Sequence, residues 1–397
     1  MTVPNKNGDL LRIDIIKNLY YKYPQSLIEL TKLTKKSLPV VTKAVNSLVE
    51  EGYIMEQGLA PSTGGRRASQ FLLNTEKNKY IIAVAMDQLI TRMTVYDLAN
   101  TIIMPVKSLN LVIATDPEAL AKLVAFISEN IALSGIDNKN ILGVGIGMPG
   151  FISPEEGINH SYLIPENDVN LRDYLSDKLD LTVCIDNDSS LIALAELRFG
   201  AAVGMSDVLV VNIGWGTGLG MILKGELYRG SSGNAGEFSH IPLSNTNILC
   251  FCGKRGCLEV ETSLLVMTQK ATAAIESGEA SVMTELFRDE SKDIGEHFLD
   301  AARNQDPLAV SILSDSAFVL GKGLATLIHI MNPKCIVLSG RGAIAGKIFL
   351  PPIQQAINEF CMPRMADHTS IIVSQIAQNA ELLASASLVI EHNHFKE

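Results

Sequence analysis

The stretch "DVLVVNIGWGTGLGMILKGELYRG", Asp207 to Gly230, decides the fold. Its two largely apolar arms flank a glycine-rich turn built from Gly214, Gly216, Thr217 and Gly218, with Gly220 just beyond. Apolar arms bounded by glycine read as two buried strands of a hairpin. Outward from it, "LTVCIDNDSSLIALAELRFGAA" (181–202) is a strand that delivers Asp186, Asn187 and Asp188 to the start of an Ala/Leu-rich helix, and "KCIVLSGRGAI" (334–344) is a further buried strand behind a long helix over about 308–331. Upstream, "KYIIAVAMDQLITRMTVYDLANTII" (79–103) gives two strands around a turn near Gln88 to Arg92, and "NILGVGIGMPGFISPEEG" (140–157) a strand that opens into a Gly/Pro loop. Strands alternating with helices make an α/β fold. Two hairpin-and-helix halves predict a two-lobed body with a cleft between the lobes.

Composition narrows the function classes. The chain has 397 residues, 47% hydrophobic and 19% charged, which fits a globular protein and neither a disordered nor a fibrous one. Its start, "MTVPNKNGDL", has no apolar signal core, and no run is expected to reach the roughly 18 to 20 apolar residues that cross a bilayer. The expectation is a cytoplasmic protein with no membrane partner. Cys184, Cys335 and Cys361 stand alone in apolar surroundings, so the six cysteines are no secreted disulfide framework.

Charge is divided unevenly. Residues 1–74 hold ten Lys/Arg against six Asp/Glu, although the whole chain has a net charge of −10. A basic head on an acidic body points to a nucleic-acid-facing module. In that head "LLRIDIIKNLYYKY" repeats Leu10, Leu11, Ile15 and Leu19 with helical spacing and stops at Pro24. Ser26 caps a short second helix, and a third starts at Ser37, with Pro39 in its first turn, and ends at Gly52. Leu38, Val41, Val45 and Leu48 form the face of this third helix that packs on the other two, while Val40, Lys43, Asn46 and Ser47 look outward. Such a trihelical unit is a helix-turn-helix whose third helix enters the major groove. Lys36, Ser37, Val40, Lys43 and Asn46 are its candidate DNA contacts; the two lysines reach phosphates or guanine edges, and Asn46 can read adenine. Two strand-like runs, Tyr53 to Glu56 and Ser69 to Leu73, flank a Gly/Pro/Ser tip with Arg66 and Arg67, a wing that touches backbone or minor groove. Operator DNA is therefore the expected macromolecular partner.

In "CFCGKRGCLE" Cys250, Cys252 and Cys257 follow a C-x-C-x4-C spacing. Thiolates at that spacing can wrap one ion, and tetrahedral zinc asks for a fourth ligand, for which His240 is the nearest candidate. The alternatives are weaker. A redox pair would want C-x-x-C, and three plain thiols would leave a Gly-rich loop with little to order it. Four protein ligands leave no open position for water, so the zinc is expected to be structural.

Together "GIGMPG", "IDNDSSLIALAE", "GWGTGLG", "GNAGEFSH", "CFCGKRGCLE" and "IVLSGRGA", in this order behind a winged helix, resemble the ROK family, which groups sugar-responsive repressors with sugar kinases. The resemblance covers essentially the whole chain. It implies an actin-like, ribonuclease-H-like body of the ATPase type, and a homodimer or homotetramer. It also implies a zinc site of one histidine and three cysteines, and a sugar site at Asn187, Asp188, Glu237, His240 and Glu259, to which Gly150 adds a close backbone approach. On that basis the chain divides into a winged helix-turn-helix domain (1–74), a smaller lobe (75–185 with about 379–397) and a larger lobe (186–378).

The family's kinases would use Asp188 as general base and hold ATP phosphates on two glycine turns. One turn survives here, as Gly214, Gly216, Thr217 and Gly218. The other, Asp-x-Gly-Gly-Thr in the kinases, is Asp87, Gln88, Leu89, Ile90, Thr91 in this chain. Bulky Leu89 and Ile90 deny the close approach that phosphoryl transfer depends on. The expectation is a non-enzymatic, sugar- or sugar-phosphate-responsive repressor of carbohydrate-utilisation genes; the competing readings are a hexokinase-type sugar kinase carrying a DNA-binding head and a regulator that answers to a protein.

Overall fold

A computed structural model describes residues 6–22, 24–59, 69–166, 168–244, 246–289, 291–393 and 395. In the head, α1 (Lys6–Tyr21) ends short of Pro24, β1 (Gln25–Ser26) follows, and α2 (Leu27–Thr34) starts at a reciprocal cap. There the Ser26 hydroxyl accepts from Glu29 N, and the Glu29 carboxylate accepts from Ser26 N at 2.8 Å. Lys35, left-handed at φ 54°, turns the chain into α3 (Leu38–Glu50). β2 (Ile54–Leu59) and β3 (Ser69–Leu73) pair antiparallel, and β1 adds to the far side of β3. Arg66 and Arg67 fall outside the described residues.

Leu11, Ile15, Leu19, Val41, Val45 and Leu48 are buried as the helical spacing requires. Two expected core residues are not. Leu10, 59% exposed, lies about 140° around α1 from Ile15, and Leu38, 46% exposed, sits in the first turn of α3, where nearly half its surface stays open. Ser47, expected to face outward, instead accepts from Arg12 Nη1 and donates to Glu51.

The body holds two five-stranded sheets of the same design. In the first, β4 (Tyr80–Met86), β5 (Ile90–Asp97) and β6 (Ile102–Asn110) form an antiparallel meander; α4 (Ala119–Ser134) leads to β7 (Ile141–Met148), parallel to β4. A small hairpin of β8 (Ile152–Ser153) and β9 (Ile158–Asn159) and α5 (Leu171–Leu179) precede β10 (Val183–Asn187), parallel to β7, and then α6 (Asp188–Phe199). The second sheet repeats the plan with β11 (Val208–Ile213), β12 (Thr217–Leu223) and β13 (Glu226–Tyr228) as the meander. After α7 (Glu259–Thr262), α8 (Leu264–Glu276), α9 (Met283–Leu286), α10 (Ile294–Arg303) and α11 (Pro307–Met331) comes β14 (Cys335–Ser339), parallel to β11. Behind α12 (Gly346–Phe360) and α13 (Pro363–Ala366), β15 (Ser370–Val373) closes the edge, and α14 (Ala377–His392) ends the chain. Read from the outer parallel edge, the order is β10-β7-β4-β5-β6 in one sheet and β15-β14-β11-β12-β13 in the other.

α6 and α14 are the two helices shared between the sheets: α14 packs on β4 and β7, α6 on β11 and β12, and the two helices on each other. Gly218 and Gly220 make that approach possible, since a Cβ on either would stand 2.0 Å from Ser189 Oγ or 2.3 Å from Ala193 Cβ. α11 corrects one expectation from the sequence. By length and composition it could cross a bilayer, yet Leu313, Ala317, Leu320, Leu324 and Ile328 are buried in the core of the second half, where the helix packs on α12.

α1 is tied to both shared helices. The Glu391 carboxylate of α14 accepts from Tyr21 Oη at 2.8 Å, Lys17 Nζ at 3.1 Å and Arg198 Nη2 at 3.1 Å. Arg198 also stacks 4.6 Å from the Tyr21 ring centre, and Phe199 meets Tyr20 and Tyr21 edge-on.

Candidate functional site

Strand ends and glycine turns converge on one pocket between the two sheets. β4 supplies Asp87 at its end, β7 Pro149 and Gly150, β10 and α6 Asn187 and Asp188, and the β11–β12 turn Gly214 to Gly218. Glu237, His240, Glu259 and Arg341 complete the wall from the second half. All six sugar-site candidates named from sequence therefore line one cavity.

The four acids and amides differ in how far they are committed. Asn187 is the N-cap of α6: its Oδ1 accepts from Ser189 N and Ser190 N, both at 3.1 Å, and its Nδ2 donates to Gly150 O at 3.2 Å. Only one amide hydrogen remains for a ligand. Asp188 accepts from Ser189 N at 2.7 Å and Asn212 Nδ2 at 3.4 Å; burial, with Asp87 and Glu237 nearby, nevertheless pushes its carboxyl up to about 6. Glu259, at the start of α7, accepts from Thr217 N at 2.9 Å and is pushed by burial to about 7. Glu237 is raised by burial as well, and its side chain stays 44% exposed, the most open of the three carboxylates. Gly150, at φ 105°, has a local reason to be glycine, since a Cβ would lie 2.8 Å from Ser161 Cβ.

Beside the pocket, His240, Cys250, Cys252 and Cys257 bring their ligand atoms within 4.8 Å of one another. Cys252 Sγ lies 3.6 Å from Cys257 Sγ, and His240 Nδ1 3.7 Å from Cys250 Sγ. A zinc tetrahedron with Zn–S bonds of about 2.3 Å has S–S edges of about 3.8 Å, so the donor set fits that ion. Burial, with the neighbouring thiols adding, pushes Cys257 up to about 12, so it ionises readily only against a cation. His240 turns Nδ1 to the thiols and Nε2 to Glu237, 3.8 Å from its Oε2.

The glycine turn is closed on itself. Gly214 N donates to Gly216 O at 2.9 Å, and Thr217 N is held by Glu259. In the opposite turn Asp87 Oδ1 accepts from Leu89 N at 2.8 Å and Ile90 N at 2.7 Å. Between them stands a residue to which the sequence reading gave no role: Arg341, whose side chain is 9% exposed, pairs with Asp87 at 3.1 Å and with Asp293, the N-cap of α10, at 2.8 Å. Arg92 and Glu381 pair alongside it. The available signal was an arginine two residues past the largely apolar strand Cys335–Ser339, where a buried charge must find partners.

On the head, Lys36, Ser37, Val40, Lys43 and Asn46 are all exposed on one side of α3 and the turn before it. Lys43 and Asn46 border a shallow groove with Leu38, Pro39 and Thr42. Ser37 occupies the N-cap position without a capping hydrogen bond from its side chain.

Comparison with known proteins places these features in a lineage. Residues 91–392 match the model of the ROK family. The chain is 28% identical over 392 residues to the xylose repressor of Bacillus spizizenii, covering 98% of this chain and 96% of that one. It is 31% identical over 283 residues to the glucokinase of Halalkalibacterium halodurans, a match that covers 69% of this chain and 86% of that one. Among solved structures, a ROK family transcriptional regulator described as a homologue of the Escherichia coli MLC protein superposes with a TM-score of 0.75 at 25% identity, covering 98% of this chain and 97% of that chain.

Proposed function

The chain belongs to the ROK family, and from that premise we propose that it is a sugar-responsive transcriptional repressor. The observation that carries this reading is the extent of the likeness. The repressor match spans head and body together, whereas the glucokinase match spans 69% of the chain.

In this reading residues 1–74 are a winged helix-turn-helix domain that sets α3 into the major groove through Lys36, Ser37, Val40, Lys43 and Asn46, with Arg66 and Arg67 on the wing. The body is a two-lobed, actin-like unit, of which residues 75–185 with about 379–397 form the smaller lobe and 186–378 the larger. The sugar lies on Asp188, Glu237 and Glu259 as acceptors for paired hydroxyls, with the free amide hydrogen of Asn187 and Nε2 of His240 beside them. Zinc held by His240, Cys250, Cys252 and Cys257 would be structural: it fixes the ring of His240 and the loop that leads into Glu259. An ion bound there would supply no chemistry beyond that fixation.

A repressor reading also accounts for the turns. Phosphoryl transfer needs backbone donors free for phosphate, and here Leu89 N, Ile90 N, Gly214 N and Thr217 N already have acceptors in the chain. Asp188 thus serves as a ligand and not as a base. A sugar that closes the cleft pulls on the start of α6. This helix is about 18 Å long and ends in Arg198 and Phe199 against Tyr20 and Tyr21 of the head. Coupling then requires only that sugar bind one arrangement of head and body better than the other. A homodimer or homotetramer would present two such heads to a near-palindromic operator in the cytoplasm.

The test is fluorescence anisotropy of the protein on its own upstream DNA, titrated with sugars. The expected result is sequence-specific binding whose affinity changes with one sugar, and a Glu237→Ala variant that keeps the DNA affinity and loses the response. Phosphorylation of a hexose at ordinary kinase rates in a coupled assay would instead establish the enzyme.

A further inference from the structure

The pocket's charge points to one class of effector. Asp87, Asp188, Glu237, Glu259 and Glu381 all line it, against one guanidinium, that of Arg341. That guanidinium is spent. Nη2 faces Asp87 at 3.1 Å and Nη1 faces Asp293 at 2.8 Å, two carboxylates for one positive charge, and the neighbouring Arg92 is paired with Glu381. No lysine lines the pocket among the described residues.

Several backbone donors at the turns and at the start of α6 are committed in the same way. A phosphate is usually cradled by backbone N–H groups at a helix start or a glycine turn. At the start of α6, Ser189 N and Ser190 N are capped by Asn187. In the two turns Leu89 N and Ile90 N belong to Asp87, Thr217 N to Glu259 and Gly214 N to Gly216 O. Among the described residues that line the pocket, two buried donors have no partner, Arg341 Nε and Trp215 Nε1, but both atoms are sealed from solvent. What the pocket does offer is carboxylate oxygens, and these want hydroxyl donors. A phosphate dianion here would meet like charges in a partly dry site with no cation free to neutralise it.

We infer that the effector is an uncharged, unphosphorylated sugar, and that the Asp87–Arg341–Asp293 clasp is the element that excludes its phosphorylated form. This rests on the sugar-sensor reading above and narrows it. The clasp joins the end of β4 in one half to the residues just after β14 and just before α10 in the other, and its Asp87 and Arg341 line the pocket, so the charge an anion would need is already neutralised there.

Binding can be read by the single tryptophan, Trp215, which lines the pocket. The full-length protein is titrated with xylose, glucose, N-acetylglucosamine, glucose 6-phosphate and N-acetylglucosamine 6-phosphate, with isothermal calorimetry as the second readout. The expected result is that at least one free sugar binds and that, for a hexose that binds, the 6-phosphate binds at least tenfold more weakly. A second arm uses Asp293→Asn, which keeps a good N-cap on α10 and leaves Arg341 one carboxylate short. It should narrow the gap between sugar and sugar phosphate several-fold while the free sugar's affinity holds, and a melting curve checks that the variant is folded. A 6-phosphate that binds the wild-type protein as tightly as its parent sugar, or more tightly, overturns this inference and leaves the sugar site standing. If no sugar and no sugar phosphate binds, the sensor reading itself falls, and this inference with it.

Discussion

Glu391→Gln tests whether the body speaks to the head through α1. The native carboxylate takes three hydrogen bonds, from Tyr21, Lys17 and Arg198, and its side chain is 24% exposed. The bond from the Tyr21 phenol, which burial holds well above its usual range, counts for about 1 to 1.5 kcal/mol. Lys17 and Arg198 are 22% and 39% exposed, so each ion pair is discounted for screening to about 0.5 to 1 kcal/mol. Glutamine keeps the shape and one acceptor oxygen but no charge, so the loss should be about 2 kcal/mol. If this docking is what the sugar signal passes through, about 2 kcal/mol corresponds to at most about thirtyfold in coupling. The assay measures operator affinity by anisotropy with and without saturating sugar, with sugar binding itself followed at Trp215. The expected outcome is unchanged sugar affinity together with a sugar-induced change in DNA affinity that shrinks markedly. A variant that melts earlier yet keeps the full ratio of DNA affinities would refute the route through α6 and α14 into α1.

Three further outcomes follow from the same contacts. Asp188 is folded with its carboxyl near 6 against an ordinary value of 3.8, so its ionisation costs stability: the cost is absent below about pH 3.8, grows as pH rises to about 6 and then stays, at most about 3 kcal/mol. Asp188→Asn should therefore raise the denaturation midpoint at pH 7.5 but not at pH 4, while abolishing the sugar response. Purified protein should carry about one zinc per chain by mass spectrometry, Cys257→Ser should lose it, and loading the metal-free protein should release protons into a weak buffer as Cys250, Cys252 and Cys257 ionise. Lys43→Ala should weaken all DNA sequences about equally and lower the salt slope by about 1, whereas Asn46→Ala should cost about 1 to 3 kcal/mol at the operator only.

Strands were legible where the apolar runs were uniform. The hairpin of Val208–Ile213 and Thr217–Leu223 lies within the stretch read as one, although its second strand already starts at Thr217, inside the residues read as the turn; the long helix begins at Pro307, one residue from its expected start. The repeat of one sheet plan in two halves was visible as two hairpins, but β6 was not, because only Met104 of its nine residues is buried and an exposed edge strand carries little alternation. α14 left no clear signal either: it is buried on sides that face α6, β4 and β7, so its apolar residues form no single stripe. At the site, residue types were legible and their commitments were not. Asn187 reads from sequence as a sugar ligand, but the structure gives its oxygen to the cap of α6 and leaves one amide hydrogen free.

Arg341 shows why the missing part was missing. Its meaning lies in Asp87 and Asp293, which are 254 and 48 positions away in the chain and meet it only because β4, β14 and α10 end at the same cleft. A guanidinium held between two carboxylates and 9% exposed is costly to remove alone, since truncation leaves two acids buried without a counter-charge. Arg341→Met should therefore lower stability by about 3 to 5 kcal/mol in urea denaturation, and adding Asp87→Asn and Asp293→Asn should recover most of it, because the amides keep the turn at Leu89 and the cap on α10 while removing the stranded charge. Recovery would mark the clasp as an electrostatic unit at the wall of the pocket. A triple variant no better than Arg341→Met would mean that the arginine acts by packing alone, and the exclusion of anions from this pocket would then have to come from Asp188, Glu237 and Glu259.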